Sequence, residues 1–364
     1  MIIVCKQGAT ADQLESLRKR MVELGLNFEE MPGDYQTVFG VRGDVSKVNK
    51  GQIEVMDAVQ EVKLISLPYK TIARQVEGHT KDRNTVQIEG INMGGPKVVV
   101  IAGPCSVSDK ELLKKNCDGV KTAGADIFRG CPFKPRTSPW DWQGSGLDGL
   151  ELLEEIAADV KIPIAAEATG TFRFEMNGTG NKILTSVEAT EILAKKQIPV
   201  LEQIISRVHL PWIGARSAFH YDFLQEAALV AIKYGKPLML KRGPAMTFNE
   251  YLLALEYVAM IGCQVIACVR GAGADEIYRN RPDIEIIRLL KEHTTVTVVA
   301  DPSHMSGAYK YVPDLAHLAL EAGADGLIIE ASADREKELT DGKQAISMGT
   351  LEMIVKEANA KSRV

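Results

Sequence analysis

The sequence predicts an α/β fold, a (β/α)8 TIM barrel preceded by a small ferredoxin-like βαββαβ domain. Three observations lead there. The chain has 364 residues, more than a single barrel of about 250 residues uses, so a small extra domain is the natural complement. Its larger part repeats one theme: a short apolar run, a functional-looking end, then an amphipathic helical stretch. Eight such runs occur, apolar on both faces, as parallel strands covered on both sides and closed into a barrel would be. A doubly wound open sheet is the competing arrangement. It usually has fewer strands and a glycine-rich turn after the first, and neither holds here.

In chain order, residues 1–70 form the first unit. "MIIVCKQ" reads as a strand, Thr10 to Leu24 has helical periodicity, and "NFEEM" and "QTVFGVRGD" read as strands across a "PGDY" turn. Ser46 to Ala58 is expected to be a second helix with Ser46 as its N-cap, and "VQEVKLI" a last strand. The order is βαββαβ, and no catalytic grouping appears in it, so a regulatory or assembly role is expected. Residues 71–92 are polar and suit a linker with a short hairpin. Residues 93–364 hold the barrel runs: "KVVVIAG", "ADIFRG", "IPIAAEA", "LPWIGA", "PLMLKRG", "QVIACVRG", "TVTVVAD" and "GLIIEA".

Composition narrows the function classes. A net charge of -5 and a pI near 5.8 argue against a nucleic-acid surface, which needs a basic face over a whole domain. No run approaches the roughly 18 apolar residues of a spanning helix, and the N-terminus lacks a signal-peptide pattern. A cytoplasmic enzyme without nucleic-acid or membrane partners is the expectation. Six cysteines occur without a CxxC pair, and they are expected as buried thiols, Cys105 excepted.

Catalytic sites of such barrels lie at the C-terminal ends of the strands. Four runs end in cations: Arg129, Arg216, Lys241 with Arg242, and Arg270. Like charges converging in one mouth repel unless anions sit among them, so the site should bind phosphate, carboxylate or both. Lys134 and Arg136, in the loop after the second run, add to the cluster, with Thr137 and Ser138 as neutral donors. Three other runs end in metal-ligand chemistry: Cys105 in "AGPC", His304 in "DPSH" and Glu330. Asp341 follows in "ELTDGKQ", 11 residues beyond Glu330. A thiolate, an imidazole and two carboxylates suit Mn, Fe, Co or Zn better than Mg or Ca. Asp301 is expected to support that site, and Glu167 to orient a lysine or a substrate hydroxyl.

The segments "AGPCSV", "FKPRTSP", "WIGAR", "KPLMLKRG", "DPSHMSG" and "AGADGLIIE" followed by "DGKQAI" strongly resemble the 3-deoxy-D-arabino-heptulosonate 7-phosphate (DAHP) synthases of type I-beta. In some of these a ferredoxin-like regulatory domain precedes the barrel. The resemblance covers nearly the whole chain. It implies a transferase, 3-deoxy-7-phosphoheptulonate synthase, which condenses phosphoenolpyruvate with erythrose 4-phosphate as the first step of the shikimate pathway of aromatic amino acid biosynthesis. It implies Cys105, His304, Glu330 and Asp341 as ligands of a divalent metal ion, with Mn foremost and Fe, Co or Zn as alternatives. Arg129, Lys134, Arg216, Lys241 and Arg270 match the residues that hold phosphoenolpyruvate, and Arg136 with Thr137 the pair that grips the aldehyde's phosphate. Lys134 would donate a proton, with Cys105 and His304 beside it in the catalytic set. An aromatic amino-acid effector and a homo-oligomer, tetramer or dimer, are implied as well.

The chain departs from that pattern at Cys131 and Pro132, at Val269 where a Glu is usual, and at "AGAD" (272–275). It departs again at "SAFHYDF" (217–223) and in an extra segment near 170–195. These positions sit on the loops where a barrel decides its acceptor. A related synthase using another aldose or aldose phosphate is therefore the alternative, and a non-catalytic regulatory paralogue the second.

Overall fold

In the computed structural model the described residues are 1–42, 45, 48–64, 67–76, 79–138, 140–170 and 199–362. They form two units, Met1–Lys70 and Thr71–Val364.

In the first unit, alternation and helical spacing bury one face of each element. Strand β1 (Ile2–Cys5) turns Ile3 and Cys5 inward, and helix α1 (Ala11–Glu23) buries Leu17 and Met21, four residues apart. Thr10 and Gln13 close a capping box at the start of α1. Strands β2 (Asn27–Pro32) and β3 (Thr37–Arg42), helix α2 (Gly51–Glu54) and strand β4 (Val59–Lys63) complete the βαββαβ order. The antiparallel sheet runs β2-β3-β1-β4, with Phe39 and Ile53 in the same core as Ile3. The second helix is shorter than periodicity suggests. It begins at Gly51, its N-cap Lys50 makes no side-chain capping bond, and Ser46 lies outside the described residues.

The second unit opens with two small antiparallel pairs, β5 (Gln75–Val76) with β6 (His79–Thr80) and β7 (Val86–Ile88) with β8 (Ile91–Met93). Val86, Ile88 and Met93 are buried in the barrel's own core cluster, so this hairpin is part of the core. Eight parallel strands then close on themselves: β9 (Val99–Gly103), β10 (Ile127–Arg129), β11 (Ile164–Ala168), β12 (Leu210–Ile213), β13 (Leu238–Lys241), β14 (Val265–Val269), β15 (Thr297–Ala300) and β16 (Gly326–Glu330), with β16 pairing back to β9. The eight apolar runs of the sequence are these eight strands.

Helices alternate with them: α3 (Lys110–Thr122), α4 (Gly146–Val160), α5 (Val200–Arg207), α6 (Tyr221–Lys233), α7 (Phe248–Ala259), α8 (Glu285–His293), the short α9 (Pro302–Ser306), α10 (Val312–Glu321) and α11 (Met348–Ala360). None of the described helices is long and apolar enough to cross a membrane. Most of the extra segment near 170–195 lies outside the described residues.

Candidate active site

The period of a strand places the site. The barrel's interior cluster contains Ile101, Ile127, Ala165, Trp212, Met239, Cys268, Val299 and Ile328, one from each strand. Side chains alternate, so the residue two further on faces the same interior, one layer nearer the C-terminal mouth. Those residues are Gly103, Arg129, Glu167, Gly214, Lys241, Arg270, Asp301 and Glu330. The top layer of a barrel filled with apolar side chains is thus almost entirely ionic.

The two glycines make that layer possible. A Cβ at Gly103, where φ is 149°, would lie 2.2 Å from the Arg129 carbonyl oxygen. One at Gly214 would lie 1.9 Å from Glu167 Oε1. The same parity explains a correction: Arg242, expected among the converging cations, faces away. Its Nη1 meets Asp283 Oδ2 at 2.6 Å and its Nη2 the Met246 carbonyl at 2.5 Å. Val269, also out of phase with the interior, is fully buried and leaves the mouth unchanged.

Above this layer lies a cavity of about 360 Å³, and among the described residues seven cations line it: Arg129, Lys134, Arg136, Arg216, Lys241, Arg270 and Arg279. Lys241 Nζ is 2.6 Å from Asp301 Oδ2, and Arg129 Nη2 is 3.2 Å from Glu330 Oε1. Both cations also sit over the Trp212 ring, at 5.1 and 5.2 Å from its centroid. Yet Arg129 Nε and Nη1 are buried without a hydrogen-bond partner. Arg270 is 6% exposed and makes no ion pair among the described residues. Buried donors of this kind are costly when unpaired, which is the signature of a site shaped for an anion.

The loop after β10 carries Lys134 and Arg136. It is pinched shut where Phe133 bridges Gly144 and the Lys134 amide donates to the Gln143 carbonyl. Lys134 Nζ turns inward to Cys105, 2.9 Å from Sγ and 3.2 Å from the carbonyl oxygen. Arg216 Nη1 donates to the Pro135 carbonyl at 3.0 Å, and Arg136 pairs with Asp141 of its own loop at 3.2 Å. Thr137 lines the cavity and is exposed. Cys131 belongs to the apolar core, so that departure concerns packing.

Next to Lys134 and Arg129, Cys105, Glu330 and Asp341 bring ligand atoms within 4.8 Å of one another. The Cys105 thiol donates to Asp341 Oδ2 at 3.0 Å. His304 stands at the edge of this cluster, its Nε2 3.6 Å from Glu330 Oε1. Its Nδ1 is 2.9 Å from Asp301 Oδ2, and Asp301 Oδ1 accepts from the His304 backbone N–H, capping α9.

Burial pushes the His304 imidazole below its ordinary value, against the pull of Asp301 and Glu330. A neutral ring donating from Nδ1 to Asp301 leaves the Nε2 lone pair turned toward the cluster. Burial and then Glu330 push the Cys105 thiol well above 9.0, with Lys134 opposing. Burial also acts upward on Asp341, but the Cys105 hydrogen bond, His304, Arg279 and Lys134 outweigh it and bring the carboxyl down to about 2. A sulfur, a neutral imidazole nitrogen and two carboxylates are a donor set that fits a divalent transition ion.

Trp212, Arg279, Asn280 and Asp141 also line the cavity, and Gln344 is buried behind it. Trp212 lies in "WIGAR" and Gln344 in "DGKQAI", and strand parity turns Trp212 inward, whereas nothing local in the sequence marks Arg279, Asn280 or Asp141, because loops of different strands bring them in.

Comparisons with known proteins agree with the resemblance. Residues 75–363 match the DAHP synthetase I family, and residues 1–67 match the DAHP synthase ferredoxin-like domain. A phospho-2-dehydro-3-deoxyheptonate aldolase of Thermotoga maritima is 31% identical over 359 residues, 98% of this chain and 96% of that protein. The crystal structure of the phospho-2-dehydro-3-deoxyheptonate aldolase (DAHP synthase) from Thermotoga maritima superposes with a TM-score of 0.84 at 30% identity, covering 98% of this chain and 95% of that one. More distantly, a 2-dehydro-3-deoxyphosphooctonate aldolase of Acidithiobacillus ferrooxidans is 23% identical over 280 residues, 71% of this chain and 86% of that protein.

Proposed function

Because the chain belongs to the DAHP synthetase I family, a family of enzymes, we propose that it condenses phosphoenolpyruvate with erythrose 4-phosphate and water to give DAHP and phosphate, with a divalent metal ion. The observation that carries this is one site with two chemistries side by side: buried Arg129 nitrogens without partners, and a thiol, imidazole and carboxylate cluster next to them.

Arg129, Lys241 and Arg270 sit deepest and would take the phosphate and carboxylate of phosphoenolpyruvate, with Arg216 and Lys134 closing over them. Arg136 and Thr137, nearer solvent, would take the phosphate of the aldehyde. Cys105, His304, Glu330 and Asp341 would hold the ion, which supplies Lewis-acid polarisation of the aldehyde oxygen when bound. The enol carbon C3 of phosphoenolpyruvate then forms the new bond to the aldehyde carbon, and the aldehyde oxygen gains a proton. Of the cations lining the cavity, Lys134 Nζ comes closest to a ligand atom of the cluster, 2.9 Å from Cys105 Sγ. Burial acts against its charge, but Cys105, Cys131 and Glu167 more than offset this and keep it protonated. Water adds at C2 and the C2 phosphate leaves.

A second acceptor is favoured by one observation: Arg136 is already paired with Asp141, so its charge is partly spoken for. By membership we further infer that residues 1–67 form a regulatory domain answering to an aromatic amino acid, within a homo-oligomer.

The test is phosphate release from phosphoenolpyruvate with Mn²⁺, with erythrose 4-phosphate and then other aldoses and aldose phosphates, each repeated with EDTA. EDTA-sensitive release with erythrose 4-phosphate is expected. Release only with another aldehyde would transfer the proposal to the second acceptor, and no release with any would overturn it.

A further inference from the structure

We propose that Gln344, acting with Arg279, is a positioning residue that leaves Glu330 and Asp341 each with a single oxygen to offer the metal ion, and so selects against ions that take bidentate carboxylates. The inference rests on the reading above, that Cys105, His304, Glu330 and Asp341 hold a divalent ion.

Gln344 is 2% exposed, and both ends of its amide are used. Its Nε2 donates to Glu330 Oε2 at 2.5 Å, while its Oε1 accepts from Arg279 Nη1 at 3.0 Å. The same Arg279 nitrogen lies 3.3 Å from Asp341 Oδ1. Each carboxylate therefore has one oxygen tied to a donor of this pair. The remaining oxygens face the cluster: Glu330 Oε1, which also accepts one bond from Arg129 Nη2 at 3.2 Å and keeps its other lone pair, lies 3.6 Å from His304 Nε2, and Asp341 Oδ2 accepts from the Cys105 thiol at 3.0 Å.

The backbone makes the arrangement stiff. The Gln344 amide donates to the Asp341 carbonyl at 3.0 Å and the Ile346 amide to the Glu330 carbonyl at 2.9 Å, so the loop returns to the strand it left. Asp341 sits at φ 54°, a left-handed conformation that aspartate tolerates better than most residues. An ion held by four one-atom donors keeps positions open for substrate oxygen. Such a site suits small transition ions, whereas Ca²⁺ takes six to eight oxygens and often a bidentate carboxylate.

The experiment measures Mn²⁺ and Ca²⁺ affinity of the full chain without substrates, reading free Mn²⁺ by electron paramagnetic resonance and Ca²⁺ by competition. Gln344→Met keeps the volume and removes both hydrogen bonds, and it should weaken Mn²⁺ binding about 10- to 100-fold. It should also lower the Mn²⁺ to Ca²⁺ affinity ratio, a change that general loosening of the fold does not produce. Gln344→Glu keeps the acceptor for Arg279 and loses the donor to Glu330, and Arg279→Lys disturbs the bonds to Asp341 Oδ1 and Gln344 Oε1 while leaving the Gln344 donor to Glu330 in place. Both should give a reduced ratio, and they carry the test if Gln344→Met fails to fold. Wild-type Mn²⁺ affinity and an unchanged ratio in the folded variants would overturn the proposal. Mn²⁺ binding that Cys105→Ser leaves unaltered would instead overturn the metal-site reading, and this inference with it.

Discussion

Replacing Asp301 by Ala strands Lys241. The pair is almost completely buried, at 5% and 0% side-chain exposure, and its 2.6 Å contact is the one ion pair of Lys241 among the described residues. Removing one partner of a buried pair costs about 3–5 kcal/mol, because the other charge stays in a poorly solvating interior. Asp301 also caps α9 through the His304 amide, which adds about 1 kcal/mol. For a barrel of this size each kcal/mol moves the midpoint by roughly 2–4 °C, so the Asp301→Ala barrel should melt about 10–20 °C below wild type. Asp301→Asn keeps a capping oxygen and should be spared the capping share of that loss, about 1 kcal/mol or roughly 2–4 °C.

The assay is calorimetric or near-ultraviolet dichroism melting, with and without phosphoenolpyruvate. Because the ligand's negative charge can stand in for the missing carboxylate beside Lys241, the upward shift it causes should be larger in Asp301→Asn than in wild type. A loss of less than about 3 °C in the alanine variant would show that Lys241 finds water or another partner, and the reasoning from a buried stranded charge would fail.

Three further outcomes are expected. Asp141→Asn should free Arg136 and lower KM for a phosphorylated acceptor by up to about fivefold, since an exposed pair is worth at most about 1 kcal/mol, with KM for phosphoenolpyruvate unchanged. Arg270→Ala removes a buried guanidinium with no ion pair of its own and should raise KM for phosphoenolpyruvate roughly 10- to 100-fold, a loss of about 1.5–3 kcal/mol; a KM near wild type would place the anion elsewhere. In the first unit Arg18 grips Glu30 at 2.8 Å through two nitrogens and holds its carboxyl below 4.5. A depressed folded value gives stability that is present above pH 4.5 and lost as pH falls through the folded value, so Glu30→Gln should flatten the acid side of that unit's dichroism-monitored unfolding.

Much of this protein is legible in its amino-acid sequence. Eight apolar runs and a βαββαβ prelude specify the architecture because strand burial and helix periodicity are local properties of sequence, each satisfied within about 10 residues. The strand-end cations, Cys105, His304 and Glu330 can be placed at the barrel mouth for a related reason, since a residue just past an apolar run lies at the C-terminal end of its strand; Asp341, 11 residues beyond Glu330, is not placed by that rule. The same reasoning fails at Arg242, where one position decides between mouth and flank, and at the second helix, which the chain starts only at Gly51.

Tertiary structure alone decides the pairings. That Arg129 keeps two unpaired nitrogens, that Lys241 is held by Asp301 60 residues away, and that Gln344 bridges Glu330 to Arg279 follow from closing the barrel. A charged side chain's sequence neighbourhood says where its backbone goes. Which oppositely charged group reaches it first depends on distances across the barrel, which no local pattern encodes.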